Sequence, residues 1–281
     1  MIKNLAVLGA GTMAMGMALE AAMHDYTVHV WYHRDVSGPR NKLEKILNKS
    51  LASGNMEQRE LDRVKSNIII SNSLDICSQA DLIIESIAED YIQKVQLFQN
   101  VSNLVKETAI ICSNTSSLSI DDLAKTLSHK DTFAGLHFFN PVSKMKLVEI
   151  IQGRETSFET IEVLKEFVKS LNKEYVLVKD SPGFIVNRLL LSYLNNAANL
   201  FSIEAASMED IDKSMRFGAN HPVGPFALCD IIGIDIVHAA LASLYQQLQD
   251  EAYRPNPIFE KLLAEGKLGR KAGEGFYTYI R

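Results

Sequence analysis

Short apolar runs alternate with longer amphipathic stretches through the first two thirds of the chain. Residues 5–8 (L-A-V-L) are apolar throughout, as a parallel strand buried on both faces requires. Gly9, Gly11 and Ala14 follow, and then an Ala- and Met-rich helical segment over 15–23. Residues 26–32 (Y-T-V-H-V-W-Y) read as a second strand. Two polar helical stretches, 41–53 and 56–65, break at Gly54 and Asn55, which predicts a helical hairpin inserted in the sheet. Apolar runs at 68–70, 81–85 and 108–112 predict further strands, with a helix over 92–105 before the last of them. Runs at 133–139 and 147–151, a helix over 158–171 and a strand over 175–178 complete the series. Strands alternating with helices predict an α/β fold with a doubly wound, mostly parallel sheet.

The texture changes at Asp180, Ser181, Pro182 and Gly183. Serine before proline predicts a helix start, and the pattern beyond is helical almost to the end. Leu189, Leu190, Tyr193, Leu194, Ala197 and Phe201 fall at helical spacing. The expected division is therefore 1–180 as an α/β domain and 181–281 as an all-helical one. With 47% hydrophobic and 22% charged residues, the 281-residue chain has the balance of a soluble globular protein. A net charge of −5 gives no footing for nucleic acid. Cys77, Cys112 and Cys229 are scattered, so they read as core residues of a reduced compartment, with no metal-ligand spacing. No apolar run is long enough to span a membrane, and the chain enters its first strand without a leader, so a cytoplasmic location is expected.

Candidate chemistry sits where runs end. Gly9, Gly11 and Ala14 form G-x-G-x-x-A between a strand and a helix, the turn of a Rossmann-type dinucleotide site. Gly9 would make the tight turn, Gly11 would admit a pyrophosphate to the helix N-terminus, and Ala14 would let helix and strand pack closely. Gly16 is a glycine this pattern does not require. Residues 113–117 (S-N-T-S-S) carry more hydroxyls than a single helix cap before Ile120 needs, so a cap and a ligand contact both stay open. His137 lies in G-L-H-F-F-N-P with Asn140 close after it, and Glu149 interrupts the apolar run L-V-E-I-I. A lone histidine of this kind is more often a core residue. A carboxylate in an apolar run, however, is costly without a partner, and a histidine paired with it gives an oriented general base. Asn187, in P-G-F-I-V-N-R, reads by itself as a polar residue on the solvent side of a helix.

Together these stretches resemble the 3-hydroxyacyl-CoA dehydrogenase family, most closely its short bacterial 3-hydroxybutyryl-CoA members. The likeness runs through G-A-G-T-M-A-M-G, I-I-E-S-I-A-E, S-N-T-S-S-L-S-I, G-L-H-F-F-N-P-V-S-K-M-K-L-V-E-I-I and S-P-G-F-I-V-N-R-L-L. It continues through A-N-H-P-V-G-P-F-A-L-C-D and L-G-R-K-A-G-E-G-F-Y-T-Y. The resemblance implies an oxidoreductase that interconverts an (S)-3-hydroxyacyl-CoA and its 3-oxoacyl-CoA with a nicotinamide cofactor. It implies His137 as general base, Glu149 as the carboxylate that orients it, Ser116 on the reacting oxygen, Asn187 on the substrate and Asn140 in support. Glu89 and Lys94 match positions at the nicotinamide half of the cofactor, and the helical domain would bind substrate and form a homodimer. Family members usually carry lysines for the CoA phosphates on the inserted hairpin. Here its tip is Ala52, Ser53, Gly54 and Asn55, with Lys42, Lys45 and Lys49 just before it. That departure keeps open a dehydrogenase of a free hydroxy acid on the same fold. A cofactor-binding protein without turnover is disfavoured by the full set Ser116, His137, Glu149 and Asn187.

A second departure concerns the cofactor. Where NAD-binding members end the second strand in an acid, this chain has Tyr32, followed by His33 and Arg34. Losing the acid removes repulsion of a 2′-phosphate, and Arg34 could pair with it, so NADP is favoured over NAD. The alternative is that Arg34 is a solvated loop residue and Asp35 serves NAD.

Overall fold

A computed structural model describes residues 2–279. The chain divides into two compact units, Met1–Ser181 and Pro182–Arg281. The first is built on one eight-stranded sheet in the order β3-β2-β1-β4-β5-β6-β7-β8. The strands are β1 (Asn4–Leu8), β2 (Thr27–Trp31), β3 (Ile68–Ser71), β4 (Leu82–Glu85), β5 (Ile110–Ser113), β6 (Phe133–Phe138), β7 (Leu147–Gln152) and β8 (Glu174–Lys179). Strand order reverses direction at β1, which pairs in parallel with both β2 and β4. That switch point is where an open α/β sheet leaves a crevice at its strand ends. The sheet is parallel except at β6 and β7, which run antiparallel.

Apolar runs became strands because both faces of the sheet are covered. Leu5, Ala6, Val7 and Leu8 are all fully buried. Helix α1 (Thr12–Met23) turns Ala14, Met15, Ala18 and Ala22 to the sheet. Gly16 has a packing reason: a Cβ there would lie 3.0 Å from Val142 Cγ2. The inserted hairpin is present as α2 (Ser37–Ala52) and α3 (Gln58–Ser66), between β2 and β3. Helix α4 (Tyr91–Ser102) joins β4 to β5, α5 (Ile120–Ala124) follows β5, and α6 (Phe158–Ser170) joins β7 to β8. Lys173 is buried, pairs with Glu20 of α1 at 3.0 Å and donates to the carbonyls of Val142 and Met145, pinning the β6–β7 connection.

The second unit contains α7 (Val186–Ser202), α8 (Met208–Lys213), α9 (Pro225–Ile232), α10 (Ile234–Leu248) and α11 (Pro257–Ala264), around Leu194, Phe226, Val237, Leu241 and Phe259. Its first helix starts at Val186, four residues after the Ser181–Pro182 signal. Gly183 and Phe184 both take positive φ, which α-helix forbids, so Pro182 opens a turn instead. The closing motif G-R-K-A-G-E-G-F-Y is a scaffold around buried Asp230. This carboxylate accepts from Phe276 N (2.8 Å), Tyr277 N (2.9 Å) and Tyr279 Oη (2.9 Å). Among the described residues no single helix is long and apolar enough to cross a membrane; α9 and α10 together pass by length but are bent by 98°.

Candidate active site

The carboxyl ends of β1, β4, β5 and β6 carry the residues singled out by sequence. Gly9 follows β1 with φ of 127° and donates its N–H to Trp31 O at 2.9 Å. A Cβ at Gly9 would lie 2.4 Å from Ser86 O, so only glycine fits between β1 and the turn after β4. Gly11 is the N-cap of α1 and offers no side chain to the helix's first amides; a Cβ there meets nothing within 4 Å. The space a Cβ would fill, beside uncapped amides at the positive end of a helix, fits a dinucleotide pyrophosphate. Ala14 is fully buried beneath it.

His137 and Glu149 face each other because β6 and β7 run antiparallel in a register that pairs these two residues. His137 Nδ1 lies 2.8 Å from Glu149 Oε2. Glu149 has no exposure and His137 only 6%. An ionised carboxylate only accepts, so Nδ1 carries the proton and Nε2 is the nitrogen with base character. The ring packs against Phe139 at 4.6 Å between centroids.

Ser116 sits in the loop after β5, half-buried, and a second carboxylate organises that loop. Glu89 Oε1 accepts from Thr115 Oγ1 (2.6 Å), Ser116 N (2.9 Å), Ser117 N (3.1 Å) and Ser117 Oγ (3.0 Å), and more distantly from Ser116 Oγ (3.4 Å). Glu89 Oε2 pairs with Lys94 Nζ at 2.9 Å, and the same ammonium lies 2.9 Å from Glu85. Lys94, expected at the cofactor, is 1% exposed and held by these two carboxylates, whereas the Glu89 side chain keeps 36% exposure. Burial pushes the Glu89 carboxyl up, but the Lys94 ammonium and the hydrogen bonds from Thr115 and Ser116 outweigh it and hold the group at about 2. Asn114 ties this loop to the histidine strand, its Oδ1 accepting from Phe138 N at 2.9 Å.

The remaining expected residues lie apart from this cluster or in the other unit. Tyr32 follows β2, and its N–H donates to Ser71 O at 3.0 Å. Arg34 Nε donates to His33 Nε2 at 2.9 Å, both exposed. Asp35 accepts from Ser37 N and Ser37 Oγ at the start of α2. Lys42 is half-buried on α2, Lys45 and Lys49 are exposed on it, and Asn140 is exposed after β6. Asn187 is the second residue of α7, half-buried, in the second unit. Sequence reasoning missed Glu85; it singled out the run 113–117 but gave Ser113 and Asn114 no roles of their own. The one available signal for Glu85 was a carboxylate closing the apolar run D-L-I-I-E.

A glycine turn fitted to a dinucleotide and a buried histidine–carboxylate pair define a nicotinamide-dependent oxidoreductase. Comparison with known proteins carries this further. The family model described as "3-hydroxyacyl-CoA dehydrogenase, NAD binding domain" matches residues 4–181, and that of the family's C-terminal domain matches 183–279. The chain belongs to the 3-hydroxyacyl-CoA dehydrogenase family. It is 40% identical to the mitochondrial hydroxyacyl-coenzyme A dehydrogenase of Sus scrofa, over 99% of this chain and 92% of that one. It is 39% identical to the 3-hydroxybutyryl-CoA dehydrogenase of Clostridioides difficile, over 98% and 99% respectively. The crystal structure of (S)-3-hydroxybutyryl-CoA dehydrogenase PaaH1 from Ralstonia eutropha superposes with a TM-score of 0.95 at 37% identity, covering 100% of both chains.

The Glu89 environment generates a stability prediction. The folded value of about 2 lies below the ordinary 4.5, so the unfolded chain binds the extra proton between them. Stabilisation is complete above 4.5 and is lost as pH falls through about 2. The stability difference between wild type and Glu89→Gln should be constant from neutrality down to 4.5, then change steadily toward 2 as wild type loses its advantage. Urea unfolding at stepped pH checks this. A difference that ignores pH across the window would mean that Glu89 is not held ionised by Lys94.

Proposed function

We propose that this enzyme interconverts a short (S)-3-hydroxyacyl-CoA, 3-hydroxybutyryl-CoA above all, with its 3-oxoacyl-CoA. The observation that carries the reading is the buried 2.8 Å contact between His137 Nδ1 and Glu149. With Nδ1 oriented by the carboxylate, Nε2 takes the proton of the 3-hydroxyl, and Glu149 stabilises the imidazolium that results. When bound, a nicotinamide cofactor would supply the acceptor for the C3 hydride in oxidation and its donor in reduction. In the reductive direction His137 returns the proton to the 3-oxo oxygen. Ser116 Oγ hydrogen-bonds that oxygen; its amide is held at 2.9 Å while its hydroxyl is only loosely engaged at 3.4 Å, which leaves the hydroxyl able to turn. Asn140 adds to the substrate contacts and exposed Lys49 meets the CoA phosphates; the family resemblance assigns Asn187 to the substrate as well. Gly9, Gly11 and Ala14 receive the pyrophosphate, and Glu89, backed by Lys94, faces the nicotinamide half. The Clostridioides difficile and Ralstonia eutropha relatives are both named for 3-hydroxybutyryl-CoA, which supports the short acyl chain.

His137→Ala should lower turnover of acetoacetyl-CoA by roughly 100-fold or more, the usual cost of losing a general acid–base. Cofactor affinity, followed by nicotinamide fluorescence, should stay nearly unchanged. Near-normal turnover in a folded His137→Ala protein would end the assignment, and turnover of free acetoacetate in preference to the CoA ester would move the substrate to free hydroxy acids.

NADP is the proposed cofactor, with NAD as its competitor. Tyr32 stands at the end of β2, where a carboxylate would repel a 2′-phosphate, and Arg34 lies two residues on with its guanidinium exposed. Asp35, the competing acceptor for ribose hydroxyls, is engaged by Ser37, whose hydrogen bonds hold its carboxyl below the usual range. Wild type should show the higher kcat/KM with NADPH, and Tyr32→Asp should shift preference to NADH. A clear wild-type preference for NADH would sink the idea, as would a Tyr32→Asp variant that gains preference for NADPH.

The proposed assembly is a homodimer through the helical unit. Leu189, Ile203, Phe217 and Ile236 expose 67%, 73%, 77% and 53% of their surface there, large apolar side chains that a second protomer would cover. Light scattering should report twice the chain mass at micromolar concentration; a monomer would contradict this.

A further inference from the structure

Among the buried charges beside the proposed site, Glu85 has no task in the mechanism above. Glu85 ends β4 with no exposure at all, and no reacting group touches it. Its carboxylate is nonetheless fully engaged. Oε2 accepts from Ser113 Oγ at 2.6 Å and from Lys94 Nζ at 2.9 Å, and Oε1 accepts from Ile87 N at 2.7 Å. Two of these three contacts, those with Ser113 and Lys94, lead to the serine loop. Ser113 Oγ in turn accepts from Thr115 N at 3.2 Å, and the Glu85 carbonyl accepts from Asn114 N at 2.8 Å. Lys94 carries the other branch, since its ammonium pairs with Glu89, whose second oxygen receives Thr115, Ser116 and Ser117.

We infer that Glu85 is a positioning residue for Ser116, setting where the loop presents the Ser116 hydroxyl through Ser113 on one side and Lys94–Glu89 on the other. A purely stabilising part is a poor account of this carboxylate. A buried ion pair does little for stability that well-packed apolar residues would not do, because desolvation consumes most of the attraction. A fully satisfied buried network does something apolar packing does not: it fixes donors and acceptors in one arrangement. Here one ammonium is shared between two carboxylates. Without Glu85, Lys94 has a single carboxylate to choose its position, and the loop loses its tie at Ser113. The Ser116 hydroxyl then samples positions away from the reacting oxygen, and proton transfer depends steeply on such placement.

The inference rests on the role proposed for Ser116, so its test is a double-mutant cycle between Glu85→Gln and Ser116→Ala, with kcat and KM measured for acetoacetyl-CoA. Glu85→Gln keeps the shape and removes the charge. It should lower kcat by ~10-fold to ~100-fold, the scale of a misplaced catalytic group, and change KM by less than ~3-fold. In the Ser116→Ala background the same change should cost no more than ~3-fold, because residues that act as a unit are non-additive. A purely structural role predicts equal losses in both backgrounds, and that result overturns the inference, as does a folded Glu85→Gln protein with wild-type kcat. Full activity in Ser116→Ala would overturn the role of the serine and this inference with it; loss in Ser116→Ala alone would overturn only the inference. If Glu85→Gln does not fold by circular dichroism, Ser113→Ala takes its place in the cycle. It cuts the tie to the loop and keeps all three charges, and wild-type kcat in that variant overturns the inference equally.

Discussion

Charge taken out of water at the ends of sheet strands must be paired where it lies, and the catalytic apparatus follows from that requirement. Glu149 is enclosed on β7 and meets His137 across the β6–β7 register; Glu85 is enclosed at the end of β4 and meets Lys94. An unpaired carboxylate at either position would take up a proton or disrupt the strand. Pairing therefore does two things at once. It makes the burial tolerable, and it fixes the geometry of the partner, which at His137 is the ring proposed to handle the proton.

The single antiparallel pair in an otherwise parallel sheet is what allows the first of these contacts. Directly opposed residues on antiparallel neighbours bring their side chains together on one face. The β6–β7 connection is short, and Lys173, paired with Glu20, holds its carbonyls. On the other side of β5, Asn114 links the serine loop to Phe138 beside the histidine. The loop with Ser116 and the strand with His137 are thus joined through hydrogen bonds within one unit, and Gly9 packs its backbone against Ser86 in the turn after β4. Cofactor turn, serine loop and histidine strand occupy one edge of one sheet.

Much of this was legible in the residues. Wholly apolar runs gave away strands buried on two faces, and G-x-G-x-x-A marked the cofactor turn because only glycine tolerates the backbone approach at Gly9. The polar intruder in L-V-E-I-I pointed to a partner for Glu149, although only the register shows which side chain it is. What stayed hidden depended on contacts between distant positions. Glu85 and Lys94 are nine residues apart, on a strand and a helix, and nothing in their spacing says that they share a charge with Glu89. The helix start at Val186 was misplaced because Ser181–Pro182 is an ordinary start signal, while the positive φ of Gly183 and Phe184 belongs to the folded chain. Gly16 had no reason until Val142 was seen against it.

The distribution of these networks also separates what is locked from what is open to change. His137, Glu149, Glu85, Lys94 and Ser113 are buried, each with hydrogen-bonding or ionic partners, so substituting one leaves another charge or donor stranded. Tyr32, Arg34 and Lys49 belong to none of these networks: Arg34 and Lys49 are exposed, and Tyr32 is tied to the sheet by its backbone alone among its hydrogen bonds. An acid at position 32 strands nothing, and lysines at the hairpin tip would stand in solvent. The residues proposed for the cofactor's adenosine end and for the CoA phosphates are therefore ones whose replacement costs the fold little. The proposed proton-handling pair, His137 and Glu149, lies in the part of the sheet where replacement costs most. The departures from the family pattern in this chain, at Tyr32 and at Ala52 to Asn55, fall in that replaceable layer.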